Sequence, residues 1–217
     1  DALYLDAAWA HPFDGNQTRP GMFTATSHRV FANYLNGGEF RVLHAQGWTA
    51  MSLPYRGGRL ALLALLPPAG TGCPALSPSA LTNLAGQAAR TGTATRSGAA
   101  RGWADIALPT VNLSTSMSLN SVLTGLGMGV AFTGQANFTG LSPQAARLGL
   151  VQHAATLTVN EKGTVGSAAT AVTVLPTSLE IPPVPTVTFD RPYLLVVEDT
   201  VTGEPLMLAR VANPTTH

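Results

Sequence analysis

Side chains able to do covalent or metal chemistry are few in this chain, and they are scattered. The five histidines stand at positions 11, 28, 44, 153 and 217, with no pair at the spacing that would bring two imidazoles to one zinc ion. No phosphate-binding glycine loop, dinucleotide-binding glycine pattern or nucleophile elbow occurs. Catalytic triads are assembled in space, so these absences weaken an enzymatic reading without excluding it. His153 alone falls on the core-facing register of a strand-like pattern, where a hydrogen-bonded structural imidazole is the expected role. Cys73 is the single cysteine, which rules out an internal disulfide framework. Next to Pro74, with no base nearby in sequence, it reads as an inert loop thiol. Neither a metal nor an organic cofactor is expected.

The elements that must position these residues are mostly strands. At 217 residues, 45% hydrophobic and 11% charged, the chain can bury one sizeable core, and a single domain over 1–217 is the default. A formal charge of +1 without a basic stripe or acidic block argues against nucleic acid or a membrane surface as partner. The longest apolar run, Leu60 to Leu66, is too short to span a bilayer, and the sequence opens on a strand-like segment with no charged-then-apolar leader. Lys162 is the one lysine among twelve basic residues, a bias expected of a GC-rich bacterial genome. The tripeptides "NQT", "NLS" and "NFT" are treated as chance.

Gly57 and Gly58 can both take positive φ between Trp48–Tyr55 and Arg59–Leu66, which predicts a hairpin. The run "LALLALLPP" suits a strand buried on both faces and stopped by proline. Helices are expected over Ser79–Arg90, with Leu81, Leu84, Ala85 and Ala88 on one face, and after a Ser118 cap, with Leu119, Val122, Leu123 and Leu126 on one face and an end near Gly127. Thr91–Gly102 reads as a loop. Val151–Val159 alternates as a strand, and "YLLVVEDTVTGEPLMLARVANP" predicts a second hairpin turning at Thr202 and Gly203. The architecture is α+β and rich in antiparallel sheet.

One stretch has an unusual composition: "NEKGTVGSAATAVTVLPTSLEIPP", Asn160 to Pro183. From Thr164 to Val174 it contains no proline and alternates well enough for a strand. Gly163, Gly166 and the small side chains also leave its first half a poor strand, easily solvated as a linker or exposed loop. Both readings stand on composition alone.

The neighbourhood favours more than a linker. "VQHAATLTVNEKGTVGSAATA" resembles the hinge of the serpins, where a main-sheet strand runs through "H-A-x-L-x-V-N-E-x-G-T" into small residues. "YLDAAWAHPFD" is similar to the family's "YFKGxWxxPFD", and "GWTAMSLPYRGGRLALLALLPP" to its "lPYkgg-L-m-ilLP" hairpin. "TVTFDRPYLLVV" resembles "FxxDRPFxFxI", and "GEPLMLARVANP" resembles "GxxLFxGRVxNP". Five ordered matches identify the chain as a member of that family, covering the C-terminal portion of a serpin domain with a reactive loop at about 161–186.

The resemblance implies a serpin-like α+β fold and a single-use inhibitor rather than an enzyme. A target serine protease cleaves the exposed loop, is held as a covalent acyl-enzyme, and the freed loop inserts into the main sheet. Roughly ten new ladder hydrogen bonds at about 1 kcal/mol each give a drive on the order of 10 kcal/mol. The hinge falls on Glu161, Lys162, Gly163, Thr164, Val165, Gly166, Ser167, Ala168, Ala169 and Thr170, which after Lys162 carry no bulky, charged or proline residue. Gly166 and Ser167 replace the family's usual alanines. Family spacing puts the reactive bond at Thr177–Ser178, with Leu175 and Leu179 as alternates. No arginine or lysine lies between Lys162 and Arg191, which points away from trypsin-like and toward elastase-like or subtilisin-like proteases.

Trp9 and His153 match the region where the family's sheet opens. Asp1 stands where His153 has an asparagine partner in the family, and Thr110 where Glu161 often has a lysine. "FKG" has become Leu5, Asp6 and Ala7. Rival expectations are a non-inhibitory binding or storage serpin and an inert truncated piece. The rest of the serpin as a separate chain is a further expected partner.

Overall fold

The structure, a computed structural model, describes residues 2–91, 102–141, 144, 146–164 and 185–215. Its elements in chain order are β1 (Ala2–Tyr4), β2 (Ala7–Ala8), β3 (Arg19–Thr24), β4 (Arg29–Ala45), β5 (Trp48–Pro54), β6 (Leu60–Leu66), α1 (Pro78–Thr91), β7 (Trp103–Pro109) and β8 (Val111–Ser118). They continue as α2 (Asn120–Leu123), β9 (Gln152–Val159), β10 (Gly163–Thr164), β11 (Thr186–Thr188), β12 (Tyr193–Asp199) and β13 (Pro205–Val211). The described residues within 2–5 and 113–157 form one compact unit, and those within 6–112 and 158–215 another.

The larger unit is built on a sheet in the order β11-β7-β4-β5-β6-β12-β13, with β3 paired to β4. Both predicted hairpins are present. Gly57 and Gly58 turn β5 into β6 at φ 89° and 70°, and Gly203 turns β12 into β13 at φ 72°, angles only glycine takes without cost. β6 is buried from Ala61 to Leu66, as a two-sided apolar run requires. α1 starts where expected: the Ser77 hydroxyl accepts from the Ala80 N–H at 3.2 Å, and Pro78 occupies the first turn, where its missing N–H costs nothing. Leu84 and Ala85 then pack on Trp48, Ala50, Leu63, Leu65, Leu194 and Val196. Cys73 sits in the loop before α1 but is buried in this same cluster, and burial pushes its thiol above the ordinary range, with Arg210 acting the other way.

The smaller unit carries the sheet β1-β9-β8, in which β1 runs parallel to β9 with Ala2 opposite Ala154 and Tyr4 opposite Thr156. The strand over Val151–Val159 is thus present as β9. Leu157 is the one buried residue among those described in this unit, whereas Tyr4, Val122, Leu126, Leu141 and Leu150 are exposed. The helix expected after Ser118 is present: the Ser118 hydroxyl accepts from the Asn120 N–H at 3.4 Å, and α2 runs on through a wider turn over Thr124–Met128 until Gly127 breaks it, near the expected end. Its expected apolar face is corrected, since Val122 and Leu126 are 52% and 76% exposed. Gly125, Gly127 and Gly129 each cost a helix about 1 kcal/mol, and Gly127 leaves it altogether at φ 97°.

Candidate functional site

Strand β9 ends in a turn that the sequence dictates locally. The Asn160 carboxamide oxygen accepts from the N–H groups of Lys162 (2.9 Å) and Gly163 (3.2 Å), and the Asn160 N–H donates to the Gly163 carbonyl (3.0 Å). The chain leaves this turn as β10, antiparallel to β2, with Gly163 opposite Ala8 and Thr164 opposite Ala7. Gly163 is required there. Its φ is 152°, and a Cβ would stand 2.1 Å from the Ala7 carbonyl oxygen.

Trp9 organises the turn. It is 1% exposed, its backbone N–H donates to the Lys162 carbonyl at 2.9 Å, and its indole N–H donates to the Asn160 carbonyl at 2.8 Å. Tyr55 stacks on it with ring centres 4.7 Å apart and 7° between planes, while Phe13 meets it edge-on at 6.3 Å. Phe13 also donates its N–H to the Glu161 carbonyl at 2.9 Å. Segment 8–10 is tied to the β5–β6 hairpin by Arg56 N–H to Ala8 carbonyl (2.8 Å) and Ala10 N–H to Pro54 carbonyl (2.9 Å).

Two side-chain bonds complete the site. Thr18 donates its hydroxyl to Glu161 Oε1 at 2.7 Å, and the hydroxyls of Tyr55 and Thr164 meet at 2.5 Å. Burial drives the Tyr55 phenol well above its ordinary pKa, so this pair stays neutral. Among the described residues no group of three histidine, cysteine, aspartate or glutamate side chains could hold a metal ion. The arrangement grips the start of a strand.

Of the residues singled out from sequence, Trp9, Glu161, Lys162, Gly163 and Thr164 are brought together here, Lys162 on the exposed side. His153 is half-buried on β9, in the smaller unit. Val165–Thr170, Leu175, Thr177, Ser178 and Leu179 lie outside the described residues, as does Asp1. Sequence reasoning did not assign Thr18, Tyr55, Phe13 and Asn160 to the site. The "PFD" and "LPY" motifs contain two of them, but only the fold shows what they touch.

The sequence pattern of the family described as serpin (serine protease inhibitor) matches residues 1–214. An alpha-1-antitrypsin-like protein, GS55-MS, of Ictidomys tridecemlineatus is 37% identical over 110 residues, covering 50% of this chain and 26% of its own. Serpin-Z1B of Triticum aestivum is 26% identical over 229 residues, covering 99% of this chain and 55% of its own. Human thyroxine-binding globulin, solved in complex with thyroxine, superposes with a TM-score of 0.77 at 24% identity, over 99% of this chain and 56% of that one. The chain therefore spans about half the length of the relatives it matches end to end. These are animal and plant proteins, which lends the expected bacterial origin no support. With the pattern spanning almost every residue and the fold agreeing, the chain belongs to the serpin family, whose members are generally serine protease inhibitors.

Proposed function

We propose that the protein carrying this chain is a suicide-substrate inhibitor of serine proteases with elastase-like or subtilisin-like specificity. The observation that carries this reading is Thr164, fully buried on a strand already paired with β2 and directly preceding the small-residue run 165–170. The protease serine attacks the carbonyl of residue 177, the bond to Ser178 breaks, and the amine of Ser178 takes the proton. The freed arm extends β10 as a new strand. β1 and β9 are paired directly with each other, so they part to admit it.

Incubation of the full-length protein with an elastase, subtilisin and trypsin, followed by a denaturing gel and the mass of the released C-terminal peptide, tests the reading. A covalent band with the first two proteases and a peptide starting at Ser178 is expected. A peptide starting at Glu180 moves the recognised residue to Leu179. Cleavage without any covalent band sinks the inhibitory reading. It would favour the second one, a non-inhibitory binding serpin, which is supported by Gly166 and Ser167 in the hinge and by the likeness in fold to thyroxine-binding globulin.

A further inference from the structure

Asn16, Asn112 and Asn137 are each followed two residues on by a threonine or serine. That spacing is the least an oligosaccharide-transferring enzyme requires of its acceptor, a hydroxyl within reach of the carboxamide. The fold separates the three tripeptides, which composition alone did not. Asn16 lies in a turn at Gly15–Gln17, and the Thr18 hydroxyl is engaged elsewhere, donating to Glu161 at 2.7 Å. Asn112 lies on β8, and its carboxamide oxygen accepts from the Thr158 hydroxyl on β9 at 2.9 Å. Asn137 belongs to no helix or strand. It stands at the joint of two tight turns, closed by Ala136 N–H to the Thr133 carbonyl (3.2 Å) and Leu141 N–H to the Phe138 carbonyl (2.8 Å). Its carboxamide oxygen accepts from the Thr139 N–H at 3.1 Å and from the Thr139 hydroxyl at 2.8 Å. Both residues are exposed, and among the described residues the Asn137 amide nitrogen has no hydrogen-bond partner.

We propose that Asn137 is a site of N-glycosylation, its substrate an oligosaccharide carried on a lipid pyrophosphate. In the transfer, Asn137 Nδ2 attacks the anomeric carbon of the first sugar. The new N–C bond replaces the C–O bond to the pyrophosphate, which leaves with the electron pair, and one Nδ2 proton passes to a base of the transferring enzyme. Nothing is oxidised or reduced. The Thr139 hydroxyl already sits beside the carboxamide and engages only its oxygen, so the attacking nitrogen stays unengaged. Among the described residues, every hydrogen bond of 133–141 runs to a residue no more than three positions away. An enzyme can therefore draw this loop into a groove without opening a strand pair. The other two tripeptides must first give up a bond to a carboxylate or leave a sheet.

The test incubates the folded full-length protein with a lipid-linked oligosaccharide and an oligosaccharyltransferase, then reads glycan occupancy at each asparagine by peptide mass. Short synthetic peptides carrying each tripeptide are run beside it. The folded protein is expected to gain one glycan, at Asn137, with occupancy about tenfold above Asn16 and Asn112, the effect of one hydrogen bond that must be given up. The three peptides, free of the fold, should be accepted to similar extents. Asn137→Asp keeps the acceptor oxygen for Thr139 and removes the nucleophile, so it should lose the glycan at an unchanged unfolding temperature. Thr139→Ser should keep the glycan, and Thr139→Val should lose it. An Asn137 left bare in the folded protein overturns the proposal, whether or not its peptide is accepted. Equal occupancy at all three asparagines of the folded protein also overturns it, because the loop would then confer nothing.

Discussion

Thr18 donates its hydroxyl to the Glu161 carboxylate at 2.7 Å, joining two residues 143 apart in sequence at the base of the hinge. The family resemblance gives Glu161 a lysine, and Thr110 stands in that lysine's place. A neutral hydroxyl thus supplies a donor to the carboxylate. Thr18→Ala is expected to cost about 1 kcal/mol in a urea titration, since the bond involves a charged acceptor but is partly open to solvent. An unchanged midpoint would mean that the bond adds nothing to the fold.

Gly163→Ala tests the close approach to Ala7. The methyl group cannot share space with a carbonyl oxygen 2.1 Å away, so the β10–β2 pair must open. The expected results are roughly 1–3 kcal/mol of lost stability and an inhibitor cleaved more often than it traps. Trapping at unaltered stoichiometry would show that the pairing does not matter for insertion.

Thr164→Arg asks more of the same place. The residue is fully buried against the Tyr55 hydroxyl, where a guanidinium would be taken out of water. Conversion from inhibitor to substrate is the expected outcome, read as loss of the covalent band with cleavage retained.

Glu198 makes stability depend on pH in an unusual direction. It is fully buried on β12, neither carboxylate oxygen has a hydrogen-bond partner among the described residues, and burial pushes its pKa from 4.5 up to about 8. Because the folded value lies above the unfolded one, its contribution is complete below pH 4.5 and is lost as pH rises through about 8. Glu198→Leu should therefore gain little at pH 5 and on the order of several kcal/mol at pH 9. Chemical denaturation at those two values checks this; an equal gain at both would mean the carboxylate is charged throughout.

Much of this fold was legible in the sequence because local chemistry and tertiary context agree. Gly57–Gly58 and Gly203 mark their hairpins, the spacing of Leu81, Leu84 and Ala85 marks α1, and β6 and β9 show as strands in their apolar patterning. β4 was not legible. "NGG" at Asn36–Gly38 has turn composition, yet the chain runs straight through as one 17-residue strand, absorbing Gly37 and Gly38 in a bulge opposite Ile106 and Asp105. Its pairing with β3, β7 and β5 in succession decides the matter, and no local signal carries that. The site divides in the same way. Gly163 and Thr164 were readable through the resemblance to the family's hinge pattern, whereas Thr18 and Tyr55 are site residues only because distant segments deliver them.

The buried side chains of the sheet β1-β9-β8 among the described residues are Val111 at the start of β8 and Leu157 and Val159 at the end of β9. Sheets resist being pried open because the side chains behind them would lose their packing. The packing that this chain's own side chains give the sheet is therefore concentrated at one end of its strands.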